Sequence, residues 1–388
     1  MLTRRCFLKN AGLAAATGTV VPLLAPPRIH AAPAERAPGL PKPEQDAVAG
    51  IASEFMERFK VPGMSVAFAK QGKFVLEQGF GVADATTKEP VTPEHLFRIA
   101  SVSKPFTSVA IFALIEQGKL RLEDFVFGEK GRLGFDFGKV LPEPVKEITV
   151  HHLLTHTCGG WPNKAGDPMF LNPAMNHREL IEWTIKNQPL TQKPGTAHAY
   201  SNFGYCILGR LLEKLTGLPY MQAVQREVLA KCGITTMRIG GSTLADRAEM
   251  EVTYYANDLG VLLGIHPYGM NVARMDSHGG WIASASDLVQ FAMRVDGFPN
   301  PPDILRADTL KTMTTPPAAY EHYACGWIVN KVPNWWHNGS LPGSTSIMVR
   351  TASGLCWAGL ANIRTHGMDL ALDQTMWKIA RAVPAWRA

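Results

Sequence analysis

Strand-type patterns sit at both ends of this 388-residue chain and helix-type patterns fill its middle. Met64 to Ala69 and Phe74 to Val82 flank a Gln71-Gly72 turn and read as a hairpin. Tyr323 to Val329, Ser344 to Arg350 and Leu355 to Ala361 read as strands more than two hundred residues later. Such distant strands share a core most simply as one antiparallel sheet built from both chain ends. A helix from Glu44 to Lys60, with Val48, Ile51, Phe55 and Phe59 on one face, and a helix from Met368 to Val383 would cover it. Between them Lys104 to Glu116, His177 to Lys186, Phe203 to Leu215, Tyr220 to Ala230 and Ser284 to Val295 read as helices. Ser284-x-x-Asp287 has the form of a capping box. The expectation is an α+β fold: an antiparallel sheet of N- and C-terminal strands, flanked by the terminal helices, with an all-helical region inserted at about 120–290. A site at the seam of the two regions is a natural cleft.

Residues 1–34 read as an export signal. Arg4-Arg5 precedes a mildly apolar stretch, Ala11 to Leu24, which is shorter than the ~20 residues of a membrane span. Thr3-Arg4-Arg5-Cys6-Phe7-Leu8-Lys9 is similar to a twin-arginine signal, whose passengers cross folded. The membrane is therefore a partner during export only, and a periplasmic or otherwise exported location is expected. Residues 35–44 read as a linker and 45–388 as the folded domain. The formal charge is +6, but four of the basic residues precede Ala34. Without them 35 basic side chains face 33 acidic ones, too balanced for a nucleic-acid binder. Beyond Cys6, Cys158, Cys206, Cys232, Cys325 and Cys356 are an odd, widely spaced set. They read as reduced core residues, not a disulfide framework or a metal site.

Three short motifs carry the chemistry. In Ser101-Val102-Ser103-Lys104, Pro105 restricts a helix to starting nearby, and residues three apart share a helix face. Ser101 and Lys104 can then meet, while Ser103 points elsewhere. A serine hydroxyl needs a base, and a lysine can serve once burial lowers its pKa. Tyr200-Ser201-Asn202 precedes a helix and offers a phenol for proton transfer and an amide to fix a carbonyl, or else a packed ring and a helix cap. His337-Asn338-Gly339-Ser340 precedes the strand at Ser344. Its glycine lets a substrate approach backbone, and the N–H of Ser340 is a candidate oxyanion donor beside that of Ser101. Trp161, Trp335 and Trp336 are candidates for lining an acyl pocket, against a reading as ordinary packing. His152 and His156 have metal-ligand spacing on a helix, but no Glu lies between them as in a zinc protease. Gly128-Glu129-Lys130-Gly131 lacks the rest of a phosphate-binding loop. No cofactor and no metal are expected.

The order of the three motifs resembles the serine β-lactamase and penicillin-binding superfamily in its class C branch. Leu153-Leu154-Thr155-His156-Thr157-Cys158-Gly159 and Gly279 to Asp287 are similar to two further segments of that family, with Cys158 where a serine is usual. The resemblance spans roughly Gln45 to Ala382. It implies that Ser101 is acylated, that Lys104 and Tyr200 share the proton transfers, and that Asn202 positions substrate. It also implies that the N–H groups of Ser101 and Ser340 form the oxyanion hole, and that His337 flanks the pocket and contacts a substrate carboxylate. His-x-Gly in place of Lys-Thr-Gly looks more like D-amino-acid peptidases and esterases than efficient β-lactamases. The implied activity is that of a serine hydrolase on an ester or amide of a small molecule or peptide. A true β-lactamase, a D-amino-acid peptidase and a non-catalytic penicillin-binding-like sensor are the alternatives. Oligomeric state is not legible.

Overall fold

The computed structural model describes residues 35–37, 39–164, 166–257 and 266–386; the expected export signal lies outside the described residues. Glu35 to Ala37, the start of the expected linker, runs beside Phe74, with Ala37 N–H and Phe74 N–H each bonded across. Helix α1 (Lys42–Phe59) then ends at Lys60, which adopts a left-handed conformation. Strands β1 (Gly63–Lys70) and β2 (Lys73–Asp84) follow. Gln71 and Gly72, both at positive φ, turn the hairpin between them, as a two-residue turn matching the strand twist requires.

Short strands β3 (Glu89–Pro90) and β4 (Phe97–Arg98) lead to a single turn of tight helix, Ala100–Val102. That turn runs into α2 (Ser103–Glu116), whose residues from Ser103 to Leu114 are buried on every side. The middle of the chain holds α3 (His177–Asn187), α4 (Asn202–Thr216), strand β5 (Arg238–Ile239), strand β6 (Trp281–Ala283) and α5 (Ala285–Ala292). The Tyr220 segment widens at Gln225–Leu229 before ending at Cys232. The last part contains β7 (Ile328–Val329), β8 (Trp335–Leu341), β9 (Ser344–Arg350), β10 (Leu355–Ala361) and α6 (Met368–Ala382).

The main sheet has the order β3-β2-β1-β10-β9-β8-β7, each neighbouring pair antiparallel. β1, from the N-terminal end, therefore sits beside β10, from the C-terminal end. Side chains alternate across it. Val66, Phe68 and Trp357 face α1 and α6, where they meet Phe55, Met376 and Ile379. Ala67, Ala69 and Ala358 face the helical side, where small residues leave room for α5 to lie close. On that side the Phe106 ring of α2 stacks on Phe291 of α5 at 3.9 Å. Burial of each such ring stabilises the fold by about 1.5–3 kcal/mol. Among the described residues all five cysteines are free and buried.

Two departures from the sequence expectations matter for the site. Strand structure expected over Tyr323 to Val329 is broken: Tyr323 keeps one antiparallel bridge, to Ile328, and the strand proper is β7. Gly326, at φ 83°, turns the chain, and the Ala324 N–H bonds to the Trp327 carbonyl. Tyr323 is thereby turned back toward β8. A second sheet, in the order β4-β6-β5, ties the middle of the chain to the segment before Ser101.

Candidate active site

Ser101 sits in the tight turn that precedes α2, and three neighbours hold that turn. Ile99 N–H bonds to the carbonyl of Trp281 on β6. Ser346 Oγ of β9 donates to the Ile99 carbonyl at 2.7 Å, and Ser344 Oγ donates to the Arg98 carbonyl. Ala100 is at φ 48°, a conformation that side-chain-bearing residues rarely adopt. Such strain persists only where the surroundings over-determine it. Ser103 is fully buried and accepts the Trp281 N–H at 3.3 Å, so its hydroxyl braces the turn.

Lys104 is fully buried in the first turn of α2. Its Nζ donates to Ser101 Oγ at 3.0 Å, to Asn202 Oδ1 at 2.8 Å and to the His278 carbonyl at 2.9 Å. Three polar partners thus surround the amine; in its neutral form it donates to Asn202 and the His278 carbonyl and turns its lone pair to the Ser101 hydroxyl. Burial drives its pKa well below the usual lysine value, and the nearby Asp167 carboxylate opposes that shift.

Tyr200 comes from the loop before α4, and Ser101 is the side-chain neighbour that opposes the pull of burial on its phenol. Its ring centre is 4.8 Å from Lys104 Nζ. Burial raises the phenol's pKa above its ordinary value. Ser201 is the cap of α4, accepting the Gly204 N–H at 3.0 Å. This leaves Asn202, next in sequence, free to point at Lys104.

The His337 strand completes the juxtaposition. β7 pairs only with Trp335 and Trp336, so the outer edge of β8 from His337 onward is left open to the Ser101 turn. Gly339 permits the approach: a Cβ built there would overlap the Ile99 carbonyl oxygen and Ser346 Oγ, and lie 3.1 Å from the Ala100 Cβ. The strand backbone that continues into Ser340 therefore passes against the turn bearing Ser101. All seven residues singled out from the sequence, Ser101, Lys104, Tyr200, Asn202, His337, Gly339 and Ser340, lie at or next to this junction.

A family model described as Beta-lactamase matches residues 48–380, most of the chain. The chain belongs to the Beta-lactamase family. Penicillin-binding protein 4* of Bacillus subtilis is 26% identical to this Beta-lactamase family member over 316 residues, 74% of this chain and 64% of that one. A beta-lactamase of Escherichia coli is 33% identical over 192 residues, 48% of this chain and 46% of its own. The family member thus spans from about half to just under two thirds of the length of these two relatives. In fold it is similar to the D-amino acid amidase of Ochrobactrum anthropi SV3, with a TM-score of 0.73 at 21% identity, over 89% of this chain and 100% of that chain.

Within this Beta-lactamase family member, the His337 ring is engaged by protein partners. It is buried on β8, with Nε2 3.0 Å from the Tyr323 hydroxyl and Nδ1 2.7 Å from the Asn338 carbonyl. Both ring nitrogens are occupied. Burial, reinforced by the Lys104 charge, pushes its pKa down to about 3, so the ring is neutral near pH 7. The three tryptophans each have packing partners. Trp161 Nε1 donates to the Gln188 carbonyl and its ring abuts Phe203. Trp335 lies under the Arg350 guanidinium at 3.7 Å. Trp336 points to the opposite sheet face, with the terminal helices.

Four residues not singled out as site residues in the sequence join the site. Asp167 accepts the Asn202 amide at 2.8 Å. Tyr323 bonds His337 as described. The buried His156 ring lies 4.2 Å from the Tyr200 ring, and its Nδ1 accepts the Ser201 N–H. His278 supplies a carbonyl to Lys104. His156 was visible in its segment but carried no spacing signal toward Tyr200. Asp167 lies in an irregular loop with no motif at all. His152, the other member of the helical pair, accepts the Thr149 N–H in a capping box.

Proposed function

We propose that this protein is a serine hydrolase that forms a covalent acyl-enzyme at Ser101 from an uncharged ester or amide. The observation that carries the reading is the 3.0 Å contact between a buried, pKa-lowered Lys104 and Ser101 Oγ. A neutral Lys104 takes the Ser101 proton as Oγ attacks the substrate carbonyl, and the C=O electrons move to oxygen. The backbone N–H groups of Ser101 and Ser340 receive that oxyanion. Burial moves the two proton carriers apart: it lowers the amine and raises the phenol. Groups separated in this way take opposite roles. Lys104 is the base, and Tyr200 holds a proton that it passes to the leaving alkoxide or amine. Collapse of the tetrahedral intermediate breaks the ester or amide bond. Water then attacks the acyl-Ser101 ester and returns the serine.

The neutrality of His337 supports uncharged substrates over β-lactams, whose carboxylate would meet no cation on this strand. Turnover of a short-chain p-nitrophenyl ester beside a chromogenic cephalosporin tests this. Efficient ester hydrolysis with weak cephalosporin turnover supports the reading; the reverse makes the protein a true β-lactamase.

The twin-arginine pattern at Arg4-Arg5 supports export of the folded chain to the periplasm. Five free, buried cysteines fit folding in a reducing compartment before export. Recovery of the full-length protein in the periplasmic fraction, abolished by substituting Arg4 and Arg5 with Lys, tests that route.

A further inference from the structure

Resting on the acyl-enzyme reading of Ser101, we propose that Asp167 is a positioning residue for the catalytic amine: it locks the Asn202 amide with its carbonyl toward Lys104 and places a negative charge beside that amine.

The geometry is a relay of four side chains. Asp167 Oδ2 accepts the Asn202 Nδ2 donor at 2.8 Å, Asn202 Oδ1 accepts Lys104 Nζ at 2.8 Å, and Lys104 Nζ donates to Ser101 Oγ at 3.0 Å. An amide has a donor end and an acceptor end. With a carboxylate on one side, only the donor end can face it. The acceptor end is then held on Lys104, and rotation of the amide by 180° would set two acceptors together and two donors together.

Asp167 itself is held from outside the relay. Its other oxygen, Oδ1, accepts the Met169 N–H at 2.9 Å and so starts the short Pro168–Phe170 helical turn. The carbonyls of Met169, Leu171, Asn172 and Met175, along the next stretch of loop, all accept from the guanidinium of Arg274. Four residues beyond Arg274, His278 gives its carbonyl to Lys104. One segment thus anchors both the amine and the loop that restrains it. With both carboxylate oxygens engaged and only 4% of its surface exposed, Asp167 does not meet substrate. It acts through Asn202 and through its charge.

The charge matters because the other titratable groups around Lys104 do not supply one. His156, His278 and His337 are held neutral by burial, and the Tyr200 and Tyr205 phenols are pushed up and stay protonated. Burial alone would make Lys104 a weak base. Asp167 pulls in the opposite direction; burial raises its own carboxyl above the ordinary value, and the Met169 N–H, the Asn202 amide and Lys104 work against that shift and favour the carboxylate.

The test uses Asp167→Asn and Asp167→Ser, which both remove the charge and both keep an oxygen able to cap Met169. Lys104 is titrated by NMR in protein carrying ¹³Cε-lysine, its signal assigned by its loss in Lys104→Arg. Both variants are expected to lower the Lys104 midpoint by about one pH unit or more. The acid limb of Ser101 phosphonylation by a fluorophosphonate should move down by the same amount. An unchanged midpoint in the variants overturns the proposal, whether or not the rate falls, because a loop anchor alone would leave the amine's titration in place. Adduct formation persisting in Ser101→Ala would instead sink the acyl-enzyme reading, while the Lys104 midpoint still reports on Asp167.

Discussion

The Tyr323 hydroxyl lies 3.0 Å from Nε2 of His337, with both side chains buried. A neutral imidazole has one donor and one acceptor nitrogen. Nδ1 faces the Asn338 carbonyl and so carries the proton, which leaves Nε2 to accept from Tyr323. The pair is satisfied without a positive charge. It follows that β8 carries a neutral imidazole at the position where a lysine would carry a cation.

Acidification should therefore weaken the fold. In the unfolded chain His337 binds a proton below about pH 6.5. In the folded chain it does so only near pH 3. The unfolded state binds more protons in between, so stability is full above about pH 6.5 and is lost as pH falls toward 3. His156 and His278, also lowered by burial, act in the same direction. Each such proton contributes up to about 1.4 kcal/mol per pH unit. Denaturant unfolding at pH 7, 5.5 and 4 should show this loss, with a shallower slope in His337→Gln. An identical slope in that variant would mean that His337 is not held neutral.

Gly339→Ala should disable the site by backbone displacement. The added methyl overlaps the Ile99 carbonyl oxygen and Ser346 Oγ, which cannot retreat because they bond each other. A loss of about 1–3 kcal/mol in stability is expected from such overpacking. Ester turnover should fall far more than the population of folded protein. Wild-type turnover in a folded Gly339→Ala protein would show that β8 need not approach Ser101.

Lys104→Arg places beside Ser101 a cation that does not lose its proton. If Lys104 is the base, the acylation rate falls by roughly 10²–10⁴-fold. In the wild type the acid limb of kcat/KM should have its midpoint well below 10.5, in the direction that burial moves this amine. An Arg variant with near-normal kcat/KM would reassign the base.

Much of this was legible in the sequence, and the remainder divides by physical cause. Ser344–Arg350 and Leu355–Ala361 form strands at the expected bounds because short runs rich in β-branched and apolar residues, bounded by Gly343 and Gly354, have one good solution in a buried sheet. Ser101 and Lys104 meet because three-residue spacing is a local property of a helical turn. β4, β5 and β6 were missed since strands of two or three residues leave no alternating pattern. Tyr323 reads as part of a longer strand because nothing local announces that Gly326 turns the chain. The charge state of His337 depends on Tyr323 and on burial, both set by tertiary packing, so its motif alone does not give it. Asp167 reaches Asn202 across 35 residues through a loop whose shape is set by Arg274, a link that no sequence spacing encodes.

The most direct measurement is the intact mass of the protein after exposure to a p-nitrophenyl ester or a fluorophosphonate, with peptide mapping of the adduct, in wild type, Ser101→Ala and Ser103→Ala. Wild type and Ser103→Ala should gain one acyl or phosphonyl group on Ser101, and Ser101→Ala should gain none. A modification that persists in Ser101→Ala, or that maps to another residue in the wild type, would contradict the assignment of Ser101 as nucleophile.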